Sequence, residues 1–313
     1  MANNTVIVFG PTGKVASIAA QTARKHGSKV WLAMRDPSKS IPGLSAEEEK
    51  QGGYERVQAD LTKPDTISAA VVKSGATRAF IYLAHGMPDH MKSTVEALKQ
   101  SGVKFVVFLS SFTIKERELS DIPPDDFIPF IHAQVEINLE KIFGPENFVA
   151  IRPGAFATNA MAFWGSGIKA GEVELVSPDA KQDMITPDDM GRVSGTILAN
   201  GPKDGQRHVY LFGPQLIAQE DALSIIRRKA LEKEIKVTPV TDEADIRKVC
   251  EKMGFPAPMI DYWTTMMKQF QGNTGREDRP LYDEGVENTK RYTGVPAMKF
   301  EEWVEANKEL FNS

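Results

Sequence analysis

The chain of 313 residues contains a single cysteine, Cys250, and has no excess of positive charge. One thiol cannot form a disulfide within the chain, and a chain this long without a disulfide framework is typical of a reducing compartment. Lys and Arg total 38 against 42 Asp and Glu, so the net charge of −4 provides no broad positive surface for nucleic acid or anionic lipid. The composition therefore predicts a cytoplasmic protein that does not bind nucleic acid.

Long apolar runs and metal-ligand patterns are missing as well. No run approaches the ~20 apolar residues that span a membrane, and the first residues lack the charged and then apolar stretch of a leader. The five histidines are scattered, without cysteine or acidic partners at a known ligand spacing. No Gly-x-Ser-x-Gly elbow of a serine hydrolase occurs. We expect no membrane span, no metal site and no serine hydrolase.

The first half of the chain alternates between short apolar runs and helical patterns. The runs are rich in Val, Ile and Phe: TVIVFG, KVWLAM, YERVQA, RAFIYLA, KFVVFLSS and NFVAIRP. Between them, apolar residues recur at helical spacing over residues 13–26, 64–73, 87–101 and 126–143. Strands separated by helices predict right-handed crossovers and a parallel sheet. We expect an α/β fold, a Rossmann-type doubly wound parallel sheet, over residues 1–153.

The alternation loosens after residue 153. Helices are predicted over residues 187–199, 220–231, 243–252, 257–270 and 300–311, with one further strand at 208–212. Gly165, Gly167 and Gly171 predict a loop, and the segment 272–280, GNTGREDRP, predicts a mobile one. We expect residues 154–313 to form a smaller, mostly helical substrate-binding region that is partly interleaved with the first domain.

A glycine-rich turn, Gly10 to Ala16, joins the first strand to the first helix. Glycine permits a tight turn and a close approach of the backbone to a pyrophosphate at the helix N-terminus. A Walker-type phosphate loop does not fit, because Val8 stands where its first glycine belongs and Val15 follows the lysine. The turn predicts a dinucleotide site rather than an ATP site.

The end of the second strand indicates which dinucleotide binds. An arginine there pairs with the extra phosphate of NADP, whereas an acid accepts the ribose hydroxyls of NAD. Arg35 comes first and favours NADP(H), while Asp36 keeps NAD open. The residues expected to hold the cofactor are Gly10, Thr12, Gly13, Lys14, Val15, Arg35, Lys39, Asp60, Leu61, Ala84 and Pro153.

These residues resemble the NmrA-like group of atypical short-chain dehydrogenases. The likeness covers most of the chain through GPTGKVA, Arg35-Asp36, Ala59-Asp60-Leu61-Thr62, Ser110-Ser111, Ile151-Arg152-Pro153-Gly154, Phe156, Asn159 and Asp189-Met190-Gly191. The group includes isoflavone-reductase-like enzymes, reductases of fungal alkaloid pathways, and proteins that bind the dinucleotide only as a redox signal. The resemblance implies a nicotinamide near Ala84, Ser110 and Ser111, with substrate under the C-terminal helices.

One departure from the wider superfamily affects the chemistry. Ordinary members carry Tyr and Lys four residues apart on the helix before the sixth strand, and many NmrA-like relatives keep the lysine. By alignment His132 stands near the tyrosine position and Glu136 at that of the lysine. A carboxylate would oppose the alkoxide formed from a ketone, but it suits a cationic iminium, and His132 is a candidate proton donor. The alternatives are a solvated glutamate and a structural histidine.

The expected catalytic residues are therefore His132, Glu136, Ser110 and Ser111, although a serine pair after a strand is also ordinary turn chemistry. Aromatic and methionine side chains predict a bulky apolar ligand, or else the seam between sheet and helices. The expected substrate contacts are His85, Phe112, Phe156, Asn159, Trp164 and Trp263, with Tyr262, Met266 and Met267 on the same late helix as Trp263. Residues 113–129 are predicted to cross the mouth as a lid.

Together these features predict an NADPH-dependent reductase of a bulky hydrophobic small molecule. The expected bond is C=N (iminium) or a conjugated double bond in secondary, alkaloid-type metabolism, with a coupled ring closure as an extension. The alternative is a non-catalytic protein that senses NADP(H) and acts through a protein partner. Either protein is expected to be a monomer or a homodimer.

Overall fold

The structure is a computed structural model that describes residues 4–231 and 234–312. The residues before Asn4, on which the expectation about a leader partly depends, lie outside this part of the chain. Eleven strands lie within the described residues: β1 (Thr5–Phe9), β2 (Lys29–Met34), β3 (Glu55–Gln58), β4 (Arg78–Tyr82), β5 (Phe105–Leu109), β6 (Phe148–Pro153), β7 (Glu172–Val176), β8 (Lys181–Gln182), β9 (His208–Leu211), β10 (Ile217–Ala218) and β11 (Lys236–Val240).

Helices connect and cover these strands. In the described part of the chain they are α1 (Lys14–Lys25), α2 (Ala46–Gly52), α3 (Pro64–Ser74), α4 (Lys92–Gln100), α5 (Phe127–Phe143), α6 (Asn159–Ala170), α7 (Pro187–Asn200), α8 (Gln219–Lys229), α9 (Glu243–Lys252), α10 (Ala257–Phe270), α11 (Tyr282–Thr293), α12 (Phe300–Ala306) and α13 (Glu309–Asn312).

Seven strands form one central sheet in the order β3-β2-β1-β4-β5-β6-β9, and every neighbouring pair is parallel. The strand order reverses between β1 and β4, and ligands bind outside the carboxyl ends of the strands at such a switch point. The predicted Rossmann-type doubly wound sheet is confirmed. Its last strand, β9, comes from the chain beyond residue 153.

Both faces of the sheet are covered by helices, which explains why its strands are continuous apolar runs rather than alternating ones. Ile7 and Phe108 belong to one core layer, and Val8 and Val107 belong to the other. All four side chains are fully buried. The first strand could therefore be recognised from TVIVF alone.

Helices α1 and α7 approach each other closely through two glycines. A methyl carbon on Gly191 would lie 2.5 Å from Cβ of Ile18, and one on Gly195 would lie 2.4 Å from the carbonyl oxygen of Ala19. Neither position has room for a side chain. The contact fixes α1, whose N-terminus follows the glycine-rich turn.

The loop predicted around Gly165 and Gly167 is wrong, because helix α6 covers both. A methyl carbon on Gly167 would lie 2.5 Å from the carbonyl oxygen of Glu172, so glycine here permits close packing on β7 rather than a turn. Only Gly171, with φ of +83°, ends the helix. The sequence analysis also missed α2, α11 and the parallel pair β7–β11, and the helix predicted over 300–311 breaks at Asn307.

The segment 272–280 is anchored to the rest of the molecule by a buried side chain. Arg279 Nε donates to Asp183 Oδ1 at 2.7 Å, and both side chains are fully buried. Arg279 also donates to the carbonyl oxygen of Gly275 and to Oε1 of Gln182. The prediction of a mobile loop did not include this anchor. Within the described residues, no helix is long and apolar enough to cross a membrane.

Candidate functional site

The glycine-rich turn places the start of α1 at the switch point. The amide of Gly10 donates to the carbonyl of Ala33 on β2, and the amide of Gly13 donates back to the carbonyl of Gly10, both at 2.9 Å. Gly10 has a φ of +69°, which favours glycine. Gly13 occupies the N-cap position and has no side chain with which to satisfy the first amides of the helix. Those amides suit an anion.

A polar cleft of about 250 Å³ opens beside this turn, along the carboxyl ends of β1 to β4. We call it the polar cleft, and its lining consists of Phe9, Gly10, Thr12, Ala33, Met34, Arg35, Ala59, Asp60, Leu61, Thr62, Tyr82, Leu83, Ala84 and His85. The cleft thus brings together six of the expected cofactor residues, together with His85, which was expected at the substrate. A hydrogen bond from the backbone amide of Thr62 lowers the pKa of Asp60, and Arg35 adds to this effect.

Other expected cofactor residues lie outside this lining. Lys14 Nζ donates to Asn307 Oδ1 at 2.9 Å, so this charge is directed to the C-terminal segment, and its role toward the cofactor stays a prediction. Val15 packs against α7 beside Gly191. Gly13 and Lys39 also lie off the lining, while Pro153 lines a different pocket.

The sequence analysis missed Tyr82 in the polar cleft. A methyl carbon built on Gly10 would lie 2.5 Å from Cε1 of Tyr82, so the ring rests directly on the turn. The side chain is 38% exposed, and burial of its remainder raises the pKa of Tyr82. An aromatic residue that ends an apolar strand carries no separate signal in the sequence, and this one was taken as part of the strand.

A second pocket, of about 230 Å³, follows along the same edge of the sheet. We call it the uncharged pocket, because among the described residues its lining includes no Asp, Glu, Lys or Arg. It is lined by Ser110, Ser111, Phe112, Thr113, Ile128, His132, Pro153, Gly154, Ala155, Phe156, Asn159, Gln182, Tyr262, Trp263, Met266 and Phe270. Expected catalytic and substrate residues from four separate segments therefore meet here.

Trp164 was expected to contact the substrate, but it does not line the uncharged pocket. It lines a narrower cavity of about 50 Å³ behind the uncharged pocket, together with Phe163 and Cys250. Asn159 and Trp263 line both spaces. This narrow cavity therefore extends the uncharged pocket toward α9.

Glu136 does not face either space, which corrects its assignment as a catalytic group. Its carboxylate is fully buried and accepts from Arg152, at 2.6 Å from Nη2 and 3.2 Å from Nε. The hydroxyl of Ser110 donates to it at 2.6 Å, and His208 Nε2 lies 3.5 Å away. A paired, enclosed carboxylate cannot oppose charge on a substrate directly. The alternative of a solvated helix residue is wrong as well.

Arg152 connects this pair to the segment after β5. Its Nη1 donates to the carbonyl of Lys115 at 3.0 Å and to the hydroxyl of Tyr210 at 2.9 Å. Tyr210 in turn donates to the same carbonyl at 2.6 Å. Lys115 has a φ of +56°, a strained value for a lysine. The buried network therefore holds this backbone in place, although the sequence analysis had quoted Arg152 only as part of a motif.

His132 lines the uncharged pocket as a neutral side chain. Nδ1 lies 2.8 Å from the carbonyl oxygen of Ile128, and since a carbonyl only accepts, Nδ1 carries the proton and Nε2 presents a lone pair. Burial lowers the pKa of His132 to about 4, outweighing that hydrogen bond and the charge of Glu136. Placed in this way, His132 presents a hydrogen-bond acceptor to the pocket, whereas the sequence led us to expect a proton donor.

Ser111 shapes a turn and also faces the pocket. Its Oγ lies 2.8 Å from the hydroxyl of Thr113 and accepts from the amide of Thr113 at 3.3 Å. These bonds cap the short 3-10 turn that follows.

No group of three or more His, Cys, Asp or Glu side chains within residues 4–231 and 234–312 could hold a metal ion.

Comparison with known proteins places the chain. A sequence model of the NmrA-like family matches residues 2–304. The chain belongs to the NmrA-like family. It is 32% identical over 318 residues to nitrogen metabolite regulation-like protein bik4 of Gibberella fujikuroi, a match that covers 96% of this chain and 95% of that protein.

Solved structures share the fold of this NmrA-like protein. NADPH-dependent quinone oxidoreductase QOR2 of Escherichia coli, in complex with NADPH, is 16% identical with a TM-score of 0.71 over 96% of this chain and 99% of that one. The triphenylmethane reductase of Citrobacter sp., complexed with NADP(H), is 13% identical with a TM-score of 0.66, over 96% of this chain and 99% of that one. At these identities the likeness establishes the Rossmann-like α/β architecture.

Proposed function

We propose that this protein binds NADP(H) in the polar cleft and transfers hydride to a bulky apolar small molecule in the uncharged pocket. One observation carries the proposal: the two sites adjoin along one row of strand ends. His85, after β4, lines the polar cleft, and Ser110, after β5, lines the uncharged pocket; β4 and β5 are neighbouring strands, with Tyr82 opposite Leu109. A dinucleotide held at the glycine turn would extend in this direction and present its nicotinamide at the pocket.

The residues of the polar cleft fit such a cofactor. Gly10 and the first amides of α1 suit the pyrophosphate, because backbone donors there are not covered by a side chain. Arg35 stands at the end of β2, where it would pair with the 2′-phosphate of NADP. The cofactor would supply the hydride, and the chain would orient the nicotinamide and enclose the substrate. Solved members of the same fold that carry NADPH or NADP(H) support this proposal.

We extend the proposal to the reacting bond, which we infer to be C=N or a conjugated double bond. The buried, ion-paired Glu136 does not support this choice of bond, but the lining of the uncharged pocket does. Its lining lacks a cation that would stabilise an alkoxide among the described residues. Its aromatic faces, including Phe112 and Trp263, suit a delocalised cation, and Nε2 of His132 accepts from an N–H group. Such a substrate would belong to secondary, alkaloid-type metabolism in the cytoplasm. Its reduction would be coupled to a ring closure.

Deuterium transfer tests the reductase proposal. The protein is mixed with NADPH deuterated at C4 and with a panel of aromatic iminium cations, enones and quinones, and products are examined by mass spectrometry. We expect one deuterium in at least one product, with Arg35→Ala as a matched control that weakens only cofactor binding. Saturable NADPH binding without deuterium in any product would sink the reductase and leave only a binding function.

A second candidate is a sensor of the NADP(H) redox state that acts through a protein partner. It is favoured by the name of the Gibberella fujikuroi relative and by the absence of the Tyr and Lys pair from α5, where His132 and Glu136 stand. A sensor must bind one redox form more tightly, because a ligand with equal affinity for two states shifts nothing. Calorimetric titration with NADPH and NADP⁺ distinguishes the two, since equal affinities combined with turnover exclude a sensor.

A further inference from the structure

The uncharged pocket contains few groups able to give up a proton. The hydroxyl hydrogen of Ser110 is directed to the buried carboxylate of Glu136. His132 is neutral and presents a lone pair from Nε2. Asn159 and Gln182 are amides, which donate hydrogen bonds but are not acids. The remaining hydroxyl hydrogens in the described lining belong to Tyr262, Thr113 and Ser111, and the phenol is the most acidic of the three.

Tyr262, on α10, stands between the uncharged pocket and a second opening. This side cleft, of about 590 Å³, lies between α10 and residues 112–129, and its lining includes Lys115, Arg117 and Asp126. Tyr262 and Thr113 line both spaces. Tyr262 therefore borders both the uncharged pocket at the strand ends and a polar, open cleft.

Side chains that line the same spaces connect Tyr262 with the segment after β5. Tyr262 and Thr113 both line the side cleft and the uncharged pocket, and the hydroxyl of Thr113 lies 2.8 Å from that of Ser111. The backbone carbonyl of Thr113 accepts from Arg117 at 2.9 Å, and Arg117 also pairs with Asp126 at 2.5 Å. The side chains of Tyr262 and Thr113 therefore lie at the boundary between the side cleft and the pocket, and a charged pair holds the backbone of Thr113.

Burial raises the pKa of Tyr262, and the nearby charge of Asp126 adds to this effect. The phenol is therefore protonated at neutral pH and donates a hydrogen bond. It is a weak acid and gives up its proton only to a strongly basic atom, such as the oxygen of an enolate that is forming. A cationic substrate would not require it.

We propose that Tyr262 is the proton donor of the pocket for conjugated carbonyl substrates, an inference that rests on the hydride transfer proposed above. Hydride from C4 of NADPH forms a C–H bond at the β-carbon, and the displaced π electrons move to the carbonyl oxygen. That oxygen takes the proton of Tyr262, which gives an enol and NADP⁺. The phenolate regains a proton from water in the side cleft. With an iminium, the π electrons stay on nitrogen as a lone pair, and no proton is needed.

Tyr262→Phe removes the hydroxyl and keeps the ring. With NADPH and the enone benzylideneacetone, we expect kcat to fall roughly 100-fold or more, the usual contribution of a general acid. With N-methyl-dihydroisoquinolinium, an iminium cation, we expect kcat to stay unchanged. Tyr54→Phe, a matched control at a half-buried tyrosine far from the pocket, leaves both rates unchanged. Equal effects of Tyr262→Phe on the two substrates, or none, would overturn the inference.

A second measurement does not depend on turnover. The carbonyl stretch of benzylideneacetone is recorded by infrared difference spectroscopy in complex with the protein and NADP⁺. A donor at the oxygen lowers the frequency, and we expect Tyr262→Phe to abolish this shift. An identical stretch in the two proteins, or no saturable binding of the enone, would overturn the inference. If the unmodified protein oxidises no NADPH with any substrate while the shift depends on Tyr262, the proposed function fails and the donor remains.

Discussion

The polar cleft and the uncharged pocket are built in different ways, although they share one edge of the sheet. In the polar cleft, charged groups such as Arg35 and Asp60 lie in the lining itself, and each stands within two residues of the end of a strand. Around the uncharged pocket, the charges are buried behind the wall as the pairs Glu136–Arg152 and Asp183–Arg279. The molecule therefore presents charge in the polar cleft, and it uses buried charge pairs to hold the wall of the uncharged pocket.

The two buried pairs also differ from each other in how well each carboxylate is supported. Asp183 accepts from the backbone amides of Ala155 and Gly213 in addition to Arg279. Glu136 accepts one hydroxyl, from Ser110, in addition to Arg152. Loss of the arginine therefore leaves Glu136 less compensated than Asp183, and this difference orders the expected effects.

The largest expected effect follows removal of Arg152. Arg152→Met leaves Glu136 buried without a cation, and we expect a loss of about 3–5 kcal/mol in the free energy of unfolding. Urea unfolding followed by circular dichroism measures it. The double variant Glu136→Leu with Arg152→Met should recover most of the loss, since neither charge remains. A double variant as unstable as the single one would show that the arginine contributes by packing.

A smaller loss is expected at the other pair. Arg279→Met leaves Asp183 with its two backbone donors, and we expect a cost of about 2–3 kcal/mol. Because Arg279 anchors residues 272–280, trypsin should also cut this segment faster, and mass spectrometry identifies the site. Arg276→Met removes an exposed pair with Asp283 and serves as a control with little effect on stability. Equal losses in the two variants would contradict the difference described above.

In the polar cleft, substitution should affect affinity rather than stability. Arg35→Ala removes the cation expected at the 2′-phosphate, and we expect NADPH binding to weaken by about 1.5–3 kcal/mol, or roughly 10- to 150-fold. NADH lacks that phosphate, so its affinity should change little. Fluorescence titration with both cofactors measures the ratio. Equal weakening for both would place Arg35 at the pyrophosphate instead.

The last expected effect is small per pH unit and tests whether the uncharged pocket disfavours a charged His132. The pKa of His132 is lowered to about 4 in the folded protein, against 6.5 as the ordinary value. Between these values the unfolded chain binds the proton and the folded one does not. Stability is therefore fully present above about pH 6.5 and falls as pH drops toward 4, by at most about 1.4 kcal/mol per unit. Urea unfolding of His132→Gln, compared with the unmodified protein between pH 4 and 7, should show a shallower fall. Parallel curves would indicate that His132 is solvated.

The sequence predicted the glycine turn and the position of Arg35 better than the role of Glu136, for a physical reason. The glycine turn and Arg35 act where they occur in the chain, next to a strand that its apolar run reveals. The partners of Glu136 come from β5, β6 and β9, and helical spacing cannot show that its face is turned into the core. Tyr262 illustrates the same limit, because its contact with Thr113 joins segments almost 150 residues apart in the chain.

Helix α6 shows another limit of local patterns. Glycines are common in turns, and Gly165 and Gly167 were interpreted that way. In the folded chain Gly167 allows α6 to lie against β7, a contact that exists only after the chain has folded. Gly191 and Gly195 have the same use on α7. Glycine is favoured both where two elements pack closely and where the chain turns. Only the neighbouring element in the folded structure shows which of the two applies.

The seam between α1 and α7 links the two ends of the polypeptide. Asp189, in the first turn of α7, accepts the amide of Met298 at 2.9 Å, and Lys14 at the start of α1 reaches Asn307 in the last segment. Neither Met298 nor Asn307 lines the polar cleft. Residues 298–307 therefore support the glycine-rich turn from outside the polar cleft, so the position of this turn depends on a segment almost 300 residues later in the sequence.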